Sequence, residues 1–162
     1  MPATEADLFD RLAELGVAVE TVRHPPLFTV AESKTLRGEL AGAHSKNLFL
    51  KDKKGAYWLV VALEDRPIDL KVLRGRIGAA HLSFASAERL RDVLGVEPGS
   101  VTPFALINDT ERRVTVVLDA EMMQAGVLNF HPLANTATTA ISPDGLLTFI
   151  RSCGHEPRVV AL

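Results

Sequence analysis

A chain of 162 residues with 47% hydrophobic and 23% charged side chains has the composition of a single globular domain with a real core, here spanning 1–162. Its net charge of −2 argues against a chain that is basic throughout. No apolar run approaches the roughly 20 residues needed to cross a bilayer, so no membrane partner is expected. The only cysteine, Cys153, has no internal disulfide partner, which fits a reducing compartment. The start "MPATEADLFDRL" has early acids and no apolar signal core, so the expected location is cytoplasmic.

In chain order, "TEADLFDRLAELG" predicts a first helix. Thr4 is its cap, Gly16 its stop, and Leu8, Leu12 and Leu15 form the buried stripe. "VAVETVR" (17–23) reads as a strand, broken by "HPP" at 24–26, because proline restricts both itself and its predecessor. A short helix is expected from near Ala31. "SKNLFLKDKKGAYWLVVAL" predicts a hairpin: a strand at 46–51, a "DKKG" turn, and a strand at 56–63. The second strand is apolar on both faces and therefore central. Helices follow with caps at Asp69 and Ser86, the second ended by Gly95. "VEPGSVTPFALIND" reads as a Gly/Pro loop feeding a strand at 104–107. "RRVTVVLDA" is a β-branched strand, "DAEMMQAG" a helical turn and "VLNF" a short strand. Ser142 and Pro143 open a last helix, and "RVVAL" closes as a strand. The irregular interleaving implies an α+β fold, with a mixed sheet curled toward a barrel and helices packed outside.

Charge is distributed unevenly. Residues 34–76 hold ten Lys/Arg against five Asp/Glu, while the rest of the chain carries −7. Such a local basic face attracts polyanions even when total charge is negative, although a solvated surface has the same composition. The chain has no G-x-S-x-G elbow, Walker loop or G-x-G-x-x-G. The histidines at 24, 44, 81, 131 and 155 do not fall at zinc-binding spacings, so neither a metal nor another cofactor is expected. Cys153, beside Phe149 and Ile150, reads as a buried thiol rather than a nucleophile.

Several residues fit a site as well as a scaffold. Lys46, which opens a strand, is either a cation snorkelling to the surface or a rigidly held cation at a cleft, able to bind phosphate or polarise a carbonyl. "GSVTPF" (99–104) is either a connector or a loop whose N–H groups face an anion. Phe28 and Val30, after the proline break, either fill the core or wall a small pocket. His131, followed by Asn135 and the threonines at 136, 138 and 139, is either structural or part of a site.

Taken in order, "HPPLFTVAES", "SKNLFLKDKKGAYWLVV", "GVEPGSVTPFALIND" and "NFHPLANTATTAIS" resemble the YbaK/ProX family of aminoacyl-tRNA deacylases, relatives of the editing domain of bacterial prolyl-tRNA synthetases. The resemblance runs from about residue 5 to 160. "FHPLANTATTAIS" is similar to the ProX-type branch, which removes alanine from mischarged proline tRNA. Ala105 stands where the family often has glycine. The resemblance implies hydrolysis of an aminoacyl ester without a cofactor. Lys46 would be the residue most needed for activity, next to Asn47, with Gly99 and Ser100 stabilising the oxyanion. Phe28, Val30, Pro103, His131 and Asn135 would bound the substrate pocket. The implied partners are the acceptor end of aminoacyl-tRNA(Pro) and a prolyl-tRNA synthetase. A cysteinyl-tRNA(Pro) deacylase and a non-catalytic RNA-binding module on the same fold are the alternatives.

Overall fold

The computed structural model describes residues 2–26 and 42–162. The helix expected near Ala31, and with it Phe28 and Val30, lies outside the described residues.

Among the described residues the helices are α1 (Glu5–Glu14), α2 (Leu70–Ile77), α3 (Ala87–Leu94) and α4 (Pro143–Ser152). The expected caps start each of them. Thr4 accepts from the Asp7 N–H while the Asp7 carboxylate accepts from the Thr4 N–H, a closed capping box. Asp69, Ser86 and Ser142 accept from the backbone N–H groups of Lys71, Arg89 and Gly145. Gly78 and Gly95 end α2 and α3 in the left-handed conformation.

The strands are β1 (Val19–Arg23), β2 (Ala43–Asp52), β3 (Tyr57–Leu63), β4 (Leu82–Phe84), β5 (Val114–Asp119), β6 (Leu128–Phe130), β7 (Ala137–Ile141) and β8 (Arg158–Val160). They form one mixed sheet in the order β1-β7-β6-β2-β3-β5-β8, with β4 paired to β2. The sheet curls as expected but does not close, because β1 and β8 remain its two ends. β3 is central, as its composition requires. Tyr57, Leu59 and Val61 face a large core with α1, α3 and α4, while Trp58 and Val60 face a smaller core under α2. In the large core Phe104 meets Phe130 and Phe149 edge-on, with ring centroids 5.9 and 5.4 Å apart. Each such pair adds about 0.5–1.5 kcal/mol beyond its area burial.

Three segments differ from the sequence expectation. Residues 104–107, expected as a strand, lie in a 3-10 helix, Pro103–Asn108, with Pro103 at its start and the Thr102 hydroxyl accepting from the Phe104 N–H. Proline at a first helical position and a capping hydroxyl outweigh the apolar run that suggested a strand. β4 and β7 were not expected as strands. β4 is only three residues long and depends on its pairing with Leu50–Asp52. β7 is threonine-rich and is held by β1 and β6 on either side.

Candidate active site on the outer face of the curled sheet

Alternation along the strands divides the predicted residues between two faces. On β2, Phe49 lies in the large core, whereas Leu48 and Leu50 pack in the smaller one. The unbroken ladder with β3 pairs Lys46 with Ala62 and Asn47 with Val61. Lys46, half-buried, therefore shares a face with His44 and Leu48, and Asn47 points the opposite way. The Asn47 amide donates to the Ser45 hydroxyl at 3.3 Å, and among the described residues its buried Oδ1 has no hydrogen-bond partner.

β6 runs parallel to β2, with Ala43 beside Leu128 and His44 beside Asn129. Leu128 and Phe130 are core residues, so Asn129 and, by alternation, His131 face outward with His44 and Lys46. The ladder ends at the His44–Asn129 rung and β6 ends at Phe130, and strand alternation gives Lys46 and His131 the same side of the sheet. The link is tight at its start. The Ala43 N–H donates to Val127 O at 2.8 Å, and the Asn129 amide donates to Ala43 O at 3.2 Å.

His131 is preset for a neutral role. Its Nδ1–H donates to the Ala137 carbonyl at 2.9 Å, and since a carbonyl only accepts, Nε2 of the neutral ring carries the free lone pair. Burial holds its pKa below the ordinary imidazole value. The hydrogen bond to Ala137 opposes this, and the nearby His24 adds to it.

His24 is a neighbour that the sequence reading did not select. Its ring lies 6.2 Å from that of His131. Its Nδ1–H donates to Pro25 O and its Nε2 meets the Thr138 hydroxyl, both at 2.9 Å. Its backbone N–H donates to Thr136 O at 2.9 Å. Only the β1–β7 pairing, Val22 with Thr138 and Arg23 with Ala137, brings residue 24 beside residue 131. The outer face thus gathers His24, His44, Lys46, Asn129, His131 and Thr138.

The Gly99 loop forms a second, adjoining part. Gly99, Ser100, Leu133 and Asn135 line one cavity of about 650 Å³, and a Cβ placed on Gly99 would meet the Asn135 amide nitrogen at 3.5 Å. The Ser100 N–H already donates to Glu97 O at 2.8 Å, so Ser100 can bring only its hydroxyl to a ligand. Pro103 is buried at the start of its 3-10 helix. The 131–136 loop joins the two parts, with His131 at one end and Asn135 near the other. Cys153 is half-buried, and burial raises its pKa, which favours the inert thiol. Among the described residues no group of three or more His, Cys, Asp or Glu could hold a metal ion, and no helix is long and apolar enough to cross a membrane.

The curled mixed sheet thus carries a strand-borne lysine and a half-buried histidine on its outer face. Residues 24–149 match the aminoacyl-tRNA editing domain model, and the chain belongs to that family of editing enzymes. It is 43% identical over 160 residues to the prolyl-tRNA synthetase associated domain-containing protein 1 of Bos taurus, covering 96% of this chain and 93% of that one. It is 36% identical over 153 residues to the prolyl-tRNA editing protein ProX of Acetoanaerobium sticklandii, covering 94% and 93%. Its fold matches a solved candidate trans-editing enzyme for prolyl tRNA synthetase, with a TM-score of 0.72 at 19% identity over 100% of this chain and 99% of that one.

Proposed function

We propose that this protein hydrolyses the ester joining alanine to the 3′-terminal ribose of proline tRNA, clearing a mischarged product in trans. The observation that supports the reading is the parallel pairing of His44 with Asn129, from which strand alternation puts Lys46 and His131 on one side of the sheet. An aminoacyl ester is activated and needs less assistance than an amide, so no nucleophilic triad is required.

In this reading water attacks the ester carbonyl. Its oxygen bonds to the carbonyl carbon, and its proton passes to the neighbouring ribose hydroxyl. That hydroxyl relays its own proton to the departing ribose oxygen as the carbon–oxygen bond breaks, leaving free alanine and the tRNA terminus. The Lys46 ammonium, rigid on its strand, stabilises the negative charge that develops on the carbonyl oxygen or holds the terminal phosphate–ribose. His131 accepts a hydrogen bond at Nε2 and positions the substrate. Ser100 and Asn135 bound the adjoining cavity.

In this reading, discrimination against proline is steric. Exclusion by clash separates substrates more strongly than the loss of one methylene, which gives only about 1–3 kcal/mol. The basic stretch 34–76 draws the acceptor end electrostatically, and a prolyl-tRNA synthetase is the natural source of the substrate.

The test is parallel hydrolysis of alanyl-, cysteinyl- and prolyl-tRNA(Pro). The reading expects rapid loss of the alanyl ester and sparing of the prolyl ester. Preferential cleavage of the cysteinyl ester would reassign the substrate, and no cleavage of any ester would refute an editing role.

A further inference from the structure

β1 ends at Arg23, and Pro25 and Pro26 have no N–H to extend its ladder. His24 is the last residue before them with a backbone donor. The ladder pairs Val22 with Thr138 and Arg23 with Ala137, and the His24 N–H carries it one step further by donating to Thr136 O at 2.9 Å. The side chain makes a second bond, on the other side of Ala137. His24 Nδ1–H donates to Pro25 O, so Nε2 of the neutral ring is an acceptor, and the Thr138 hydroxyl that meets it at 2.9 Å is the donor. His24 thus grips residues 136 and 138. Between them lies Ala137, fully buried, whose carbonyl accepts from His131 Nδ1–H at 2.9 Å.

We propose that His24 is a positioning residue for His131: by clamping Thr136 and Thr138 on either side of Ala137, it holds the carbonyl that fixes the His131 ring and its tautomer. The inference rests on the editing reading, in which His131 accepts a hydrogen bond at Nε2 and positions the substrate. It adds to that reading the device that keeps Nε2 an acceptor.

Three observations support it. The first is the place of Ala137 in the chain. It is the first residue of β7, and strand ends are where a ladder opens most readily. The clamp closes that end. The second is the chemistry of the ring. A neutral imidazole carries its proton on either nitrogen, and the bond made by one nitrogen decides which. If the Ala137 carbonyl moved away, the proton could pass to Nε2 and turn the acceptor into a donor. The third is direct contact. The two rings lie 6.2 Å apart between centroids, tilted by 57°, so His24 also limits how far the His131 ring can turn. A plain strand cap accounts for the backbone bond to Thr136, but not for a side chain that reaches both Thr138 and the ring of His131.

The experiment reads the tautomer directly, by 15N NMR of the imidazole nitrogens in the wild type, His24→Ala and His24→Gln. The glutamine carbonyl oxygen can accept from the Thr138 hydroxyl as Nε2 does. His131 should carry its proton on Nδ1 in the wild type, gain a substantial Nε2–H population in His24→Ala, and return to Nδ1–H in His24→Gln. Hydrolysis of alanyl-tRNA(Pro) gives the functional arm. Deleting the partner that orients a metal-bound histidine costs about 10–100-fold, and a loss of that order in kcat/KM, carried mainly by KM, is expected for His24→Ala. Adding His24→Ala to His131→Ala should cost nothing further, because the first residue acts through the second. If His24→Ala fails to fold, Thr138→Val, which exchanges only the hydroxyl for a methyl group, carries the same test. An unchanged His131 tautomer in a folded variant, or losses that add in the double variant, would overturn the proposal. Failure of the editing reading would look different: the wild type would leave alanyl-tRNA(Pro) intact, while the tautomer would still respond to His24.

Discussion

Gly42 heads the strand that carries Lys46, and its replacement by alanine should damage both fold and site. Its φ is +99°, where a side chain is strained by about 1–3 kcal/mol. A Cβ there would also lie 2.8 Å from Val127 O and 2.9 Å from Val127 Cγ1. The backbone carbonyl cannot swing aside without loosening the Ala43 N–H bond to it, and overpacking of this kind costs about 1–3 kcal/mol. The two together amount to about 2–6 kcal/mol, a large share of a typical total of about 5–15 kcal/mol. For a chain of this length each kcal/mol lowers Tm by about 2–4 °C, so the expected loss is about 4–24 °C.

Gly55→Ala is the control. Its φ of +84° is similar, but nothing lies within 4 Å of a Cβ there, so it should show the backbone strain alone. Thermal and urea unfolding of both variants, followed by circular dichroism, separates the terms. Because the clash pushes β2 away from β6, Gly42→Ala should also lower kcat at temperatures where it stays folded, whereas Gly55→Ala should not. Equal Tm values for the two variants would refute the close approach at Val127.

A further prediction concerns the buried ring of His131. Its pKa is depressed in the folded state, so between that value and the ordinary imidazole value of about 6.5 the unfolded chain binds more protons. Stability should therefore fall as pH drops through this window, and His131→Asn should flatten that part of the profile in urea titrations. An unchanged slope would show that the ring is not held neutral.

Much of the fold could be read locally. The capping residues Thr4, Asp69, Ser86 and Ser142 start their helices because a short polar side chain satisfies N–H groups within three residues. The two-faced apolar pattern of 57–63 identifies the central strand because both its faces are covered. What could not be read locally depends on partners distant in the chain. β7 is a strand because β1 and β6 hold it, and its threonines read equally well as a turn. The site was legible only in part. Gly99 and Asn135 line one cavity, and Lys46 and His131 stand out only through the resemblance. That they share a face follows from the parallel β2–β6 register, which no local pattern announces. His24 read as a break before two prolines, and only the β1–β7 ladder brings it to His131.

The central claim is that Lys46, on the outer face beside His131, carries the hydrolysis. Its most direct test is the single-turnover rate of alanyl-tRNA(Pro) hydrolysis by Lys46→Ala, with folding verified by circular dichroism. Removing one charge-stabilising group costs about 10²–10³-fold where such groups have been deleted from oxyanion sites, and a loss of that size in a folded variant is the expected result. A folded Lys46→Ala that clears the alanyl ester at the wild-type rate would contradict the account.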